Sequence, residues 1–207
     1  MFNTREKKER SLGKKLFLKA HRCASPKCVT VRRPTRPGIH GTARRRALSE
    51  FGQQLQEKQS FQLSYGLRES QMKKIFKQAL KNPANTGEMI MSFLERRLDS
   101  VVYRLGFAPS RSVARQLVGH GHIIVNGRRL SIPSYQVRVG DKISIRPESR
   151  DHEIFKDLPP NLKKYEPPAW LALDKEKLEG QITQLPKDFD LSFDVSKVVD
   201  YYSKVVK

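Results

Sequence analysis

In the stretch SRSVARQLVGHG the apolar residues recur at helical spacing, so that Val113, Ala114, Leu117 and Val118 face inward and Arg111, Ser112, Arg115 and Gln116 face outward. Planar guanidiniums donate in pairs to phosphate oxygens, and short polar groups reach sugar hydroxyls, so this face suits an RNA backbone. The following HIIVNGRRL contains Asn126-Gly127, a strong hairpin signal because both turn positions tolerate positive φ, with Arg128 and Arg129 beside it. Helix face and hairpin tip together would make a small convex basic surface. Double-stranded DNA fits it less well, since no recognition helix, zinc finger or basic zipper stands out. Catalytic patterns do not emerge either. The sequence has no GxxxxGKS/T, GxGxxG or GxSxG string, and His21, His40, His120, His122 and His152 stand in basic or turn contexts rather than as bases of a cleft.

The overall charge agrees with an anionic partner. The 207 residues include 41 Lys and Arg against 21 Asp and Glu, a net charge of +20 that far exceeds what solubility requires. Residues 1–50 carry +12 and residues 51–150 carry +10, whereas residues 151–207 carry −2. A polyanion is therefore expected on the first three quarters of the chain, and a different partner, such as protein, on the last. Leu, Ile, Val and Phe make up about 26% of the residues, enough for a folded core. No apolar run of the length that spans a bilayer occurs, and MFNTREKKER has no apolar stretch behind its charges. A cytoplasmic protein with no membrane partner is expected. Glu6 and Glu9 are unusual in a transit peptide, although an organellar location stays open. The only cysteines, Cys23 and Cys28, are too few for a disulfide framework and favour a reducing compartment.

Stepwise along the chain, residues 1–46 mix Arg, Pro and Gly without periodicity and read as an extended basic arm with scattered apolar anchors. Ser49 is a plausible N-cap for a first helix. A second helix over 68–81 carries a buried stripe of Met72, Ile75, Phe76, Ala79 and Leu80 and leaves Lys73, Lys74, Lys77 and Lys81 outside, either solvated or facing RNA. A third, long helix is expected from Thr86-Gly87 to Gly106, with Asp99 on its surface. A short helix, the Asn126-Gly127 hairpin and a second strand pair, Tyr135 to Val139 with Lys142 to Arg146, follow. The fold class is α+β: a mainly helical domain with an inserted ααβ-type module of two helices and a small antiparallel sheet, preceded by the arm. One string invites an enzymatic alternative, because Arg97-Leu98-Asp99 matches the short core of pseudouridine synthases, in which the aspartate is the nucleophile. There the motif lies on a loop running into Thr and Gly, whereas here it sits in a continuous helical pattern.

The run RLDSVVYRLGFAPSRSVARQLVGHGHIIVNGRRLSIPSYQVRVGD resembles the RNA-binding module named after small-subunit ribosomal protein S-four, a module that some RNA-modifying enzymes also carry. The flanks KLFLKAHRCASPKC, RRPTRPGIHG, LSEFGQQLQEKQ, NTGEMIMSFLERRLD and PPAWLALDKEKLEGQITQLP are similar to the bacterial and organellar ribosomal protein family itself. The resemblance implies a helical domain over 47–95 completed by 165–207, with the module inserted over 96–160. It implies a non-enzymatic constituent of the small ribosomal subunit that binds the 5′ domain of its rRNA and nucleates assembly of the subunit body. Partners implied are small-subunit rRNA, ribosomal protein S-five and other small-subunit proteins, and mRNA near the path by which it enters, with an influence on translational accuracy. Carried onto matching positions, Arg111, Ser112, Arg115, Gln116, His120, Asn126 and Arg128 would contact RNA from the module, joined by Arg44, Arg45, Arg46 and Lys58. Asp188, Asp190 and Asp194 would be protein-facing or solvated.

Part of that family has four cysteines at spacing suited to a tetrahedral zinc or iron–sulfur site. This chain keeps only Cys23 and Cys28, with TREKKERSLGKK where the other pair would stand. No bound metal or other cofactor is therefore expected, with both thiols reduced and partly buried.

Overall fold

The computed structural model describes residues 4–43, 47–81, 85–156, 158–163, 165–187 and 193–205. The helices in chain order are α1 (Thr4–Leu12), α2 (Ala20–Cys23), α3 (Val29–Arg32), α4 (Glu50–Tyr65), α5 (Glu69–Ala79), α6 (Thr86–Glu95), α7 (Leu98–Arg104), α8 (Arg111–Gly119), α9 (Glu153–Lys156), α10 (Leu158–Lys163) and α11 (Val195–Val205). The strands are β1 (Ile123–Val125), β2 (Arg128–Arg129), β3 (Lys142–Ile145), β4 (Leu171–Asp174) and β5 (Glu179–Ile182). Among the described residues no helix is long and apolar enough to cross a membrane. The chain divides into two compact units, Met1–Ile90 with Leu191–Lys207, and Met91–Asp190.

In the first unit, the Ser49 hydroxyl caps α4 by accepting from the Gly52 N–H at 3.2 Å, and Gly66 closes it in the left-handed region at φ 60°. Met72, Phe76 and Ala79 of α5 are buried, together with Phe61 and Tyr65 of α4 and Val198 and Tyr202 of α11. Phe76 and Tyr202 stack with centroids 4.1 Å apart, and Phe193 meets Phe61 edge-on at 5.7 Å. Phe193 and α11 thus complete an aromatic core that α4 and α5 alone would leave open.

The second unit departs from the expected plan at three points. The long third helix is broken: Arg97 is extended, with φ −67° and ψ 138°, between α6 and α7. The break is satisfied by the segment 133–137. Leu98 N–H donates to the Tyr135 carbonyl at 2.9 Å, Asp99 N–H to that of Pro133 at 3.2 Å, and Val137 N–H to that of Arg96 at 2.9 Å. The expected strand over Tyr135 to Val139 is accordingly spent on an isolated bridge, Arg97 with Gln136, and does not pair with β3. β3 instead lies in the middle of a five-stranded antiparallel sheet of order β2-β1-β3-β5-β4. Residues 165–187 therefore join the module rather than the helical domain, because the β4–β5 hairpin pairs with β3 (Ile143 opposite Gly180) and buries Trp170, Leu171 and Ile182 in the module's core. The hairpin of β1 and β2 forms as expected, with Asn126 at φ 50° and Gly127 at φ 77°. Ile123 and Val125 of β1 and Ile143 and Ile145 of β3 point to one face, onto Val101, Val102, Leu105, Ala114, Leu117 and Val118 from α7 and α8.

Candidate nucleic-acid interface

Ser110 opens α8, its hydroxyl accepting from the Val113 N–H at 3.4 Å and lying 3.1 Å from that of Ser112. Burial of Ala114, Leu117 and Val118 against α7 fixes the rotation of the helix. Arg111, Ser112 and Arg115 are left half-buried on the outer face, and Gln116 and His120 exposed. Asn126 and Arg128 are exposed at the hairpin tip. The seven expected residues of the module thus lie on α8, on its C-terminal cap and on the adjoining hairpin.

Asn126 and His120 hold the hairpin in place. Asn126 ties the hairpin to the start of β3: its Oδ1 accepts from the Lys142 N–H at 2.9 Å and its Nδ2 donates to Asp141 Oδ1 at 2.8 Å. His120 lends its carbonyl to Arg129 Nη2, which donates to it at 3.2 Å and ties the hairpin to the end of α8. Gly121, at φ 77°, leaves room for that guanidinium, which a Cβ there would strike. Helix face and hairpin tip are therefore joined by a hydrogen bond.

Beneath the arginines lie two carboxylates that the sequence did not single out as part of the site. Asp99, expected on a helix surface, is 1% exposed. Arg97 holds it with Nε to Oδ1 at 3.1 Å and Nη2 to Oδ2 at 3.0 Å, and Arg115 donates to Oδ2 from Nε at 2.9 Å and Nη2 at 2.6 Å. The Ser100 N–H donates to Oδ1 at 2.9 Å. Buried and gripped on both oxygens, Asp99 is not placed to attack a base, so the match to the pseudouridine synthase core carries no enzymology. Glu95 is equally enclosed. Arg104 donates to it from Nε at 3.1 Å and Nη2 at 3.0 Å, and Arg111 from Nη2 at 3.1 Å. The Arg111 guanidinium also stacks over the Tyr103 ring at 4.8 Å.

Beside α8, His122 Nδ1 lies 3.0 Å from the Ser149 hydroxyl, with the His152 and His120 rings at 5.6 and 6.0 Å. Burial, followed by the neighbouring His152, His120, Arg129 and Arg146, holds His122 below the usual histidine range.

The residues expected to contribute from outside the module fare differently. Arg44, Arg45 and Arg46 lie outside the described residues. Lys58 does not present its charge at the surface: it is buried on α4, with Nζ 2.5 Å from Glu69 Oε2 and 5.2 Å from the Tyr201 ring centroid. A half-exposed carboxylate and aromatic faces satisfy it in place of a phosphate. Lys73, Lys74 and Lys77 are exposed along α5, and Lys81 is exposed just beyond its end. Asp188 and Asp190 lie outside the described residues, and Asp194 is exposed, paired with Lys197 at 3.3 Å. Cys23 and Cys28 are buried free thiols, so their burial is fuller than expected. Burial raises the first, and a hydrogen bond with Thr30 lowers the second. No group of three or more potential metal ligands is found among the described residues.

Comparison with known proteins assigns both parts of the chain. Residues 2–95 match the family described as "Ribosomal protein S4/S9 N-terminal domain" and residues 96–143 that described as "S4 domain". The small ribosomal subunit protein uS4 of Thermus thermophilus is 46% identical over 93% of each chain. The uS4A protein of Alkaliphilus metalliredigens is 47% identical over 93% of each, and the uS4 protein of Gloeobacter violaceus 46% over 94% of each. These relatives are named as a ribosomal component and not as an enzyme. With an arginine-faced helix and basic hairpin inside the matched S4 domain, and relatives at this identity over more than nine tenths of each chain, the chain belongs to the small ribosomal subunit protein uS4 family.

Proposed function

We propose that the protein is a structural constituent of the small ribosomal subunit that binds rRNA through α8 and the β1–β2 hairpin. The observation that carries this reading is the outer face of α8, where Arg111 and Arg115 stand over buried acids at fixed hydrogen-bonding geometry inside an S4 domain. Guanidiniums in fixed positions suit the spaced phosphates and 2′-hydroxyls of a folded RNA better than a mobile lysine cluster would. Net charge of +22 over residues 1–150 supplies the longer-range attraction.

The finer assignment follows the family resemblance: a site at a helical junction in the 5′ domain of the rRNA, a nucleating role in assembly of the subunit body, contact with ribosomal protein S-five that affects decoding accuracy, and proximity to incoming mRNA. Residence in cytoplasmic ribosomes belongs to the same reading. Two measurements test it. A tagged copy in gently lysed cells should sediment with small subunits, and absence from them would overturn the proposal. Purified protein should bind a 5′-domain transcript with affinity that falls steeply with salt, since each neutralised phosphate adds to the slope of log K against log salt. A nearly flat dependence would refute phosphate-led binding.

A further inference from the structure

We propose that Asp99 and Glu95 are positioning residues for RNA binding, which preset the Arg115 and Arg111 guanidiniums before RNA arrives; the inference rests on the assignment of the α8 face to RNA. The two carboxylates face four guanidiniums, Arg97 and Arg115 on Asp99 and Arg104 and Arg111 on Glu95, so each cluster keeps a net positive charge after pairing. Exposure is divided unequally within each cluster. The carboxylates are 2% exposed at the side chain, whereas Arg115 remains 34% and Arg111 16% exposed. The acids are thus shielded from an incoming polyanion while part of each guanidinium can meet it.

The geometry explains what the acids add. Arg115 uses Nε and Nη2 on Asp99, an arrangement that fixes the plane of the guanidinium. Arg111 is held from two directions, by Glu95 and by the Tyr103 ring. An arginine free to sample its rotamers would lose that freedom on binding, and here folding has already removed it.

Charge and positioning predict opposite signs, which makes the test sharp. Asp99→Asn removes a negative charge near a polyanion, so charge alone predicts tighter binding. Positioning predicts that D99N binds a 5′-domain rRNA transcript about 3–10-fold more weakly while binding poly(U) as well as or better than wild type. Because Asp99 acts through Arg115, D99N should add nothing to the loss in an R115A background, whereas a general structural defect would add to it. Unchanged or tighter binding of the transcript by D99N, or a fully additive loss, overturns the inference. Should D99N not fold, as judged by its melting curve, E95Q against R111A gives the same cycle with the same two outcomes. In the wild type without RNA, the Arg115 Nε–H should be slow to exchange with solvent by NMR, and exchange at the rate of a free arginine would overturn the inference without any variant. Failure of the underlying reading looks different: R115A and R111A would then bind the transcript like wild type.

Discussion

Lys58→Met separates a structural lysine from an RNA-binding one. The Lys58 ammonium lies 2.5 Å from Glu69 Oε2 and within 5.2 and 5.9 Å of the Tyr201 and Tyr202 ring centroids, while Tyr202 donates its hydroxyl to Glu69 Oε1 at 3.1 Å. Burial, reinforced by the Glu69 charge, holds that hydroxyl well above the usual tyrosine range, so it stays a donor. α4, α5 and α11 therefore meet at one carboxylate. Breaking a fully buried pair costs about 3–5 kcal/mol and an exposed one about 0–1 kcal/mol. The Lys58 side chain is 10% and that of Glu69 39% exposed, so water can recover Glu69, and K58M should cost about 1–2 kcal/mol. In a unit of about 100 residues that lowers the melting midpoint by roughly 4–8 °C. RNA binding by the remaining folded protein should keep its salt slope. A slope reduced by roughly 0.7–0.9, the contribution of one phosphate, with an unchanged melting midpoint would refute the structural account and restore Lys58 as an RNA contact.

Three other outcomes are expected. His122 is held below its ordinary value of about 6.5 by burial, with His152, His120, Arg129 and Arg146 facing it, so the unfolded chain takes up its proton first as the solution is acidified. Its contribution to stability should be complete above pH 6.5 and lost as pH falls from there toward the folded value; melting midpoints at pH 7.5 and 5.5 should differ less in H122Q than in wild type, and an equal difference would refute this. Gly180→Ala should destabilise the module by about 1–3 kcal/mol, because the new Cβ would overlap the methyl carbons of fully buried Leu105; an unchanged denaturation midpoint would show that β5 can shift away. Replacing Arg111 and Arg115 together by Lys should weaken binding to the 5′-domain transcript more than to poly(U), since charge is kept and the planar fork lost, and equal losses on both RNAs would mean that charge alone matters.

Local chemistry made some elements legible. Asn126-Gly127 specifies its hairpin by tolerance of positive φ at two adjacent residues, and the Met72, Phe76 and Ala79 stripe specifies α5 by its period, so neither needs a distant partner to be recognised. The break between α6 and α7 is a different case. The sequence around Arg97 has full helical periodicity, and what opposes it is the backbone of residues 133–137, almost forty positions away, which accepts and donates the hydrogen bonds that a continuous helix would have kept to itself. The same holds for β4 and β5. Their short segments LALD and EGQI become strands of the module only because β3 offers an unpaired edge, which no local pattern announces.

The site divides along the same line. Outward arginines on an amphipathic helix are read from spacing, but whether such arginines are mobile charges or fixed donors depends on what lies under them. The sequence does hold a signal for that. Between residues 70 and 140 the only acids are Glu88, Glu95 and Asp99, amid a strong excess of Lys and Arg, and the latter two adjoin Arg96 and Arg97 on the helical pattern that leads into α7. An acid kept in such company, beside apolar positions rather than on a polar face, marks an internal partner for arginine. Spacing alone could not say which arginine. Asp99 and Arg115 stand sixteen residues apart and meet only because Leu98, Val101 and Val102 of α7 and Ala114, Leu117 and Val118 of α8 share one core. Core packing therefore sets the aim of the α8 guanidiniums, and, on the RNA-binding reading proposed above, a substitution at those apolar positions that leaves the module folded should alter which RNA it prefers before it alters how strongly it is drawn to RNA at all.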